Sequence, residues 1–490
     1  MEYIGGENRK QIIMLPDSVD DYVDESNAVR IIDAYIDSLD MGALGFSHPK
    51  ANDTGRPMYN PKDLLKLYVY GYMNRVRSSR RLEIETKRNL EVIWLMRKLS
   101  PDHKTIAQFR RNNADALKNV FRDFTKLCIK LGLYGKELIA IDGSKFKAAN
   151  SKDRNFTEQK LSERIAKIDA KIEEYLRNIE DTDTVESAVA KEKSAQEIKQ
   201  IITELEQRKA VYKSYSNEMK EIGETQKSLT DSDSRLMMAN GKTDICYNMQ
   251  ISVDAKNKLI VDFEATNKAN DKNQLMPMAV RAGEILEAKG LTAVADVGYD
   301  SATDIAECIK NGITPQVAGV DYDICLETDA PSANEISSHT NGHGVYLRER
   351  NLVLCPMGKI LYPGGYKKRN SRALFYNYKA CLGCLCKCTV ERFKKFEISI
   401  RKEDFRKTYN DDNLHVKQVR VTSDKEIIRQ RKCIVEHPFG TIKRSMDSGY
   451  CLMKGLGNVT GEFSLTFFAY NLKRAISILG VEKLLEAVMV

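Results

Sequence analysis

The chain has 490 residues, 42% of them hydrophobic, with 77 Lys and Arg against 69 Asp and Glu for a net charge of +8, and 11 Cys. That length predicts two to four domains, and that apolar content excludes a disordered chain. No apolar run is long enough to span a membrane and MEYIGGENRKQ lacks an apolar signal core, so a cytoplasmic protein with no membrane partner is expected. Its odd Cys number argues for free thiols or metal ligands over a disulfide framework.

Residues 1–130 read as mostly helical. Asn60-Pro61-Lys62 opens an amphipathic run with Leu64, Leu65, Leu67 and Tyr68 on its apolar face, and basic residues follow at Arg75, Arg77, Arg80 and Arg81. In SPDHKTIAQFRRNN, Thr105 is the expected N-cap, Ile106 and Phe109 point inward, and Arg110, Arg111 and Asn112 project from the same short helix. Short helices with a tight turn and a basic face suggest a helix-turn-helix-like reader of DNA, an arrangement that non-binding bundles also show.

The run LIAIDGSKFKA reads as a strand in which Asp142 closes an apolar, β-branched stretch. A charged segment at 157–227 follows. Leu161, Ile165, Ile168, Ile172, Tyr175 and Ile179 are spaced 4, 3, 4, 3, 4, a heptad seam, and a second helix runs through Ile198, Ile202, Leu205 and Val211. The expected form is a protruding helical hairpin, serving as a dimer contact, a DNA clamp or a spacer. Asp231 and Asp233 in SLTDSDSRLM compete as metal ligands, but a D-x-D beside Ser and Thr more often bonds its own backbone.

Two strands at 246–255 and 258–267 predict a hairpin, followed by a helix at 271–288 and a strand ending in Asp296. Asp300, four residues on, stands where the cap of helix 301–311 belongs, so Asp296 is the candidate ligand. Next comes the strand TPQVAG and then an insertion at 320–425 with Cys355, Cys381, Cys384, Cys386 and Cys388. A four-thiolate zinc site of Cys355, Cys381, Cys384 and Cys388, with Cys386 as competitor, stands against a reading as free thiols. Residues 345–445 hold 24 Lys and Arg against 10 Asp and Glu, a net +14 that leaves −6 for the rest, which is an electrostatic footprint for phosphate.

The last element is a helix with Glu436 in VEHPFGTIKR and Lys443 seven residues on, two turns along one face. Asp142, Asp296 and Glu436 on adjacent elements can hold two Mg²⁺ ions, the arrangement that clamps both oxygens of a phosphodiester exchange. Lys443, Lys432, Arg431 and Arg429 then extend a contact along the DNA backbone, while His437 reads as a packing residue.

The contexts Asp142-Gly143, Asp296-Val297-Gly298-Tyr299 and Val435–Lys443 resemble the IDG, AD-x-GY and VEHPFGTIK motifs of the DDE transposases of bacterial insertion sequences, over nearly the whole chain. The wider family pattern, Y-x2-R-x3-E-x6-K, is met at Lys443. Lys432 stands where Arg is expected and Arg429 where Tyr is expected, which removes an aromatic. The resemblance implies an α/β, RNase H-like catalytic core (131–156, 228–319 and 426–490) with a helical N-terminal DNA-binding domain (1–130). A coiled-coil hairpin insertion and a small Cys-rich insertion complete it. It implies catalysis by Asp142, Asp296 and Glu436 with two Mg²⁺, for which Mn²⁺ substitutes. It also implies double-stranded DNA partners (terminal inverted repeats and target), a homodimer assembled on DNA, and a place at the bacterial nucleoid. The implied activity is hydrolysis at the element's ends and transfer of the 3′-OH to target DNA. The alternative is an RNase H-like nuclease or a DNA-binding regulator derived from a transposase.

Overall fold

The computed structural model describes residues 18–48, 58–182, 188–239, 241–327, 336–339, 344–348, 350–355, 359–367, 371–382, 384, 392–406 and 416–489. The chain opens with α1 (Ala28–Ser38), α2 (Pro61–Met73), α3 (Ser79–Arg88), α4 (Leu90–Leu95), α5 (His103–Asn112) and α6 (Ala114–Lys130). Asn60 caps α2 through Lys62 N–H, with Pro61 in the first position where its missing N–H costs nothing. The expected cap of α5 moves: Asp102, not Thr105, accepts from the N–H groups of Lys104 and Thr105. Both residues can cap, and the carboxylate one turn earlier also meets the positive end of the helix dipole.

After α6 come β1 (Leu138–Lys147), β2 (Asn155–Thr157), α7 (Glu158–Thr182), α8 (Ala188–Ile222), β3 (Gln226–Ser228), β4 (Arg235–Ala239), β5 (Lys242–Asp254) and β6 (Ile260–Thr266). Then follow α9 (Leu275–Leu286), β7 (Thr292–Ala295), α10 (Ala302–Lys310) and β8 (Thr314–Val317). The main sheet runs β4-β5-β1-β7-β8, and β6 lies on the same side of β5 as β4, further along that strand. β5 is antiparallel to β1, while β1, β7 and β8 are mutually parallel. The hairpin β5–β6 and the alternation β7-α10-β8 fall where strand and helix periodicities place them.

Helices α7 and α8 pack together over a base closed by β2 pairing β3. The heptad seam holds on α7, where Leu161 and Ile168 are buried and Ile165, Ile172 and Tyr175 half-buried. On α8 the seam shifts by one residue at its end. Val211 is exposed, and Tyr212 turns inward instead to pack on Phe156 in the small cluster at the base of the hairpin.

The insertion enters and leaves through an antiparallel pair, β9 (Asp321–Glu327) with β16 (Val416–Thr422). Between them lie β10 (Ile336–His339), β11 (Val345–Leu347), β12 (Leu352–Leu354), β13 (Ile360–Lys367), β14 (Arg372–Tyr376), α11 (Tyr378–Leu382), β15 (Phe396–Ser399) and α12 (Lys402–Phe405). Strands β10 to β15 form one antiparallel meander with small cores of its own.

The chain ends with α13 (Lys425–Gly440), a π-helical turn at Thr441–Ser445, α14 (Leu456–Leu479) and α15 (Val481–Met489). Helix α14 is buried nearly all round, its apolar Val459, Phe463, Leu465, Phe467, Phe468 and Leu472 enclosed together with the polar Glu462, Ser464, Thr466 and Asn471. It packs on α2, α5 and α6 on one side and on β6 on the other. The N-terminal helices and the sheet therefore share one continuous core, and the boundary near residue 130 marks a change of structure class rather than a break in packing. No described helix is long and apolar enough to cross a membrane.

Candidate active site

Asp142 sits where β1 leaves the core: Ile139, Ala140 and Ile141 are buried, and Asp142 is half-buried. In the parallel pairing of β1 with β7, Ala140 faces Val294, so Asp142 and Asp296 come level two residues further along. A cation stands between them. Arg431 Nη1 lies 3.4 Å from Asp142 Oδ2 and 4.0 Å from Asp296 Oδ2, so the two carboxylate oxygens are no further apart than the sum, 7.4 Å. Burial pushes the Asp142 carboxyl up to about 6; Arg431 opposes that rise, while the negative charges of Asp296 and Asp271 add to it. Asp142 Oδ1 accepts from Gly143 N–H, and Asp296 Oδ1 accepts from Gly298 N–H. Asp296 thus caps the short turn Val297–Tyr299. The cap of α10 is Ser301 and not Asp300, because a hydroxyl one residue later reaches Asp304 N–H.

Helix α13 packs across β1 and β7. Arg431, Ile434, Val435 and Pro438 recur at helical spacing on its inner face, which carries the Arg431 guanidinium to the acid pair. Arg431 was expected on the DNA backbone; here its partners are the two carboxylates. Glu436 lies toward solvent, with its carboxylate 3.8 Å from Lys432 Nζ one turn earlier. Among the described residues no group of three or more His, Cys, Asp or Glu side chains stands close enough to hold a metal ion. The structure therefore brings Asp142 and Asp296 together and leaves Glu436 on the outer surface of α13, paired with Lys432.

Glu436 and Lys443, expected on one helical face, have different surroundings: Glu436 is exposed and Lys443 half-buried. Pro438 has no N–H to continue the ladder, and the helix widens into the π turn, where Met446 N–H reaches back to Thr441 C=O. That widening changes the angle per residue. Lys443 swings under β1, donating to Ser144 Oγ at 2.6 Å and to Lys145 C=O at 3.1 Å, with its ammonium 4.5 Å from the centre of the Phe146 ring. Burial lowers its pKa.

A polar network beside the acids was missed by sequence reasoning. Asp271 Oδ1 accepts from Asn248 Nδ2 (2.8 Å) and Gln250 Nε2 (2.6 Å), and Lys145 Nζ lies 3.3 Å from Oδ2. The buried Tyr299 hydroxyl donates to Gln250 Oε1. The signal was present: Asn248, Gln250, Ser252 and Asp254 are polar at every second position of a strand and all are buried.

Other candidates find structural places. Asp231 is buried, accepting from the Tyr247 hydroxyl and Gly455 N–H, and Asp233 accepts from Leu456 N–H as well as from the Ser232 hydroxyl, so both secure the start of α14. His437 hydrogen-bonds the Tyr470 hydroxyl. Arg110 does not project for groove contact. It is buried, donating to the Tyr72 hydroxyl at 2.8 Å and lying over the Tyr68 ring, because it falls on the core side of α5 with Ile106. Arg111, Arg429 and Lys432 are exposed. Cys355, Cys381 and Cys384 are half-buried, and Cys386 and Cys388 lie outside the described residues.

Residues 17–112 match the family "Transposase domain (DUF772)", and residues 133–472 match "Transposase DDE domain". No curated protein matches the chain. A solved structure, the cryo-EM piggyBac transposase synaptic complex with hairpin DNA, aligns over 94% of this chain and 79% of that one, at 8% identity and a TM-score of 0.28, too low to support an argument. Two acids level on adjacent parallel strands thus lie inside a match covering more than two thirds of the sequence, and the chain belongs to the transposase DDE-domain family, as a metal-dependent DNA transposase.

Proposed function

We propose that the β1–β7 end of the sheet is an RNase H-like catalytic centre that cuts DNA at terminal inverted repeats and joins the freed 3′-OH to target DNA. The observation that carries this is the placement of Asp142 and Asp296 around Arg431. The strand order β6-β5-β1-β7-β8, with only β5 antiparallel to its neighbours, supports the RNase H-like reading.

Two adjacent carboxylates are hard oxygen donors of the kind Mg²⁺ and Mn²⁺ take, and the Arg431 guanidinium facing both supports a local demand for positive charge. Asp142 and Asp296 would hold the metal, and Glu436 on the outer surface of α13 is the candidate third ligand. When bound, two divalent ions activate the attacking oxygen and stabilise the leaving one. Lys443 holds the outer end of β1. The exposed Arg429 and Lys432 are placed to meet phosphates, contacts that fix position without reading sequence. Arg111 and Asn112, both exposed at the end of α5, are the remaining candidates for sequence contact in the N-terminal helices. The reading takes DNA ends as the substrate and a homodimer as the assembled form.

The test is a labelled duplex bearing the inverted repeats that flank the coding sequence. Wild type with Mg²⁺ should yield a nick ending in a 3′-OH and then joined products. Asp142→Asn and Asp296→Asn should bind the duplex and yield neither. Cleavage that survives both substitutions refutes this site.

A structural zinc is a second, separate proposal. Cys355 Sγ accepts from Lys359 N–H at 3.3 Å, a backbone donor of the kind that steadies a thiolate; Cys355, Cys381 and Cys384 are not drawn together in this structure, so the site would form only with the metal. Elemental analysis should return one zinc per chain; a folded, zinc-free protein rules this out.

A further inference from the structure

We infer that Asp271 is a positioning residue for the catalytic acids, tying β1 to the end of β7 so that Asp142 and Asp296 keep their spacing. This rests on the reading of those two acids as metal ligands.

Asp271 lies in the link between β6 and α9 and so belongs to neither catalytic strand. Its carboxylate nevertheless touches both neighbourhoods. Toward β1, Lys145 Nζ approaches Oδ2 at 3.3 Å, and Asn248 and Gln250 donate to Oδ1. These two amides stand on β5 opposite Lys145 and Gly143. Toward β7, Gln250 receives the Tyr299 hydroxyl, three residues beyond Asp296. The chain Asp271–Gln250–Tyr299 therefore links the strand pair carrying Asp142 to the turn that follows Asp296.

Gly143 shows how tightly this network is seated. A Cβ there would stand 2.5 Å from Asp271 Oδ1 and 3.0 Å from Asn248 Oδ1, and closer still to Gln250 Nε2. The residue after Asp142 is a glycine because the network fills its side-chain space. At Gly298 a Cβ would lie 3.0 Å from Asp296 Oδ1 and 3.8 Å from Asp271 Oδ2, so Asp271 also approaches the backbone next to the second acid. Asn248, Gln250 and Tyr299 are fully buried, which fixes their rotamers and passes a shift of Asp271 on to the strands.

The experiment compares wild type, Asp271→Asn, Tyr299→Phe and Asp142→Asn by Mn²⁺ binding (electron paramagnetic resonance, no DNA), cleavage rate, DNA-end affinity and melting temperature. Partners that orient metal ligands change affinity or rate by about 10–100-fold. Asp271→Asn should weaken Mn²⁺ binding and slow cleavage within that range, with DNA affinity and melting little changed. Tyr299→Phe should shift both in the same direction by less. Mn²⁺ affinity equal to wild type in both variants overturns the proposal. So does complete loss of Mn²⁺ in Asp271→Asn, as in Asp142→Asn, since that marks a direct ligand. If Asp271→Asn does not fold, the Mn²⁺ affinity of Tyr299→Phe decides on the same terms. Wild type that binds no Mn²⁺ and cuts no ends refutes the metal-site reading itself, a result distinct from failure of the positioning role.

Discussion

The Arg431 guanidinium stands 3.4 Å from the Asp142 carboxylate and faces Asp296 from the same nitrogen. It occupies the gap where two like charges would otherwise repel, and it does so from the helix that carries Glu436. In this arrangement a side chain meets the demand for positive charge at the acid pair.

Metal and Arg431 should therefore compete. At about 4 Å and an effective dielectric near 20, a unit charge pair is worth about 4 kcal/mol, of which relaxation recovers part. Arg431→Gln should tighten Mn²⁺ binding by about tenfold or more in the absence of DNA, read by calorimetry. Weaker binding in the variant would mean that the guanidinium supports the metal site instead of opposing it.

The Asp142 carboxyl gives a pH signature. Its folded value of about 6 lies above the 3.8 of an unperturbed carboxyl. The folded state thus binds its proton more tightly, so this group's contribution to stability is full below 3.8 and is lost as pH rises through about 6. The charged form costs the metal-free fold up to about 3 kcal/mol above that range. In EDTA, Asp142→Asn should be more stable than wild type at pH 7 and equal to it near pH 4, by urea denaturation. A constant difference across that window would show that Asp142 titrates normally.

Lys443 bonds β1 at Ser144 and Lys145 from beneath, so its loss should act on the strand as well as on DNA. Lys443→Met keeps the packing on Phe146 and leaves the Lys145 carbonyl without this donor, at about 1–3 kcal/mol. Cleavage should fall on every end sequence alike. Unchanged stability together with lost cleavage would point to a phosphate contact made only in the DNA complex.

The sequence made the strands of the core legible because their apolar runs end sharply at Asp142 and Asp296. It made α7 legible because a heptad needs no tertiary partner to be read. The turn of α13 was not legible. Counting 3.6 residues per turn related Lys443 to Glu436, but it could not foresee the π turn between them or the bonds that hold Lys443 against β1. Asp271 was hidden for another reason: it lies in a loop, and its role comes from strands paired across a distance of more than a hundred residues. Arg110 was misplaced because a basic residue beside an apolar one was assigned to the surface, whereas two tyrosines and a backbone carbonyl accommodate its charge inside.

The neighbours Arg110 and Arg111 should consequently fail in opposite ways. Arg110 reaches the Tyr72 hydroxyl and the Arg77 carbonyl, and Arg77 in turn pairs with the fully buried Glu462 of α14. Arg110→Ala leaves a hole in this junction and strips a hydrogen bond from buried groups, a loss of about 2–5 kcal/mol. Melting should drop, and DNA discrimination among the surviving folded molecules should stay as in wild type. Arg111→Ala, on the exposed side of the same helix, should leave melting within about 0.5 kcal/mol. Its preference for the true end over a scrambled duplex should weaken by about 1–3 kcal/mol if it reaches a base edge. A competition binding assay with both duplexes separates the two. Should Arg110→Ala fold normally and lose discrimination while Arg111→Ala keeps it, α5 must present its other face to DNA.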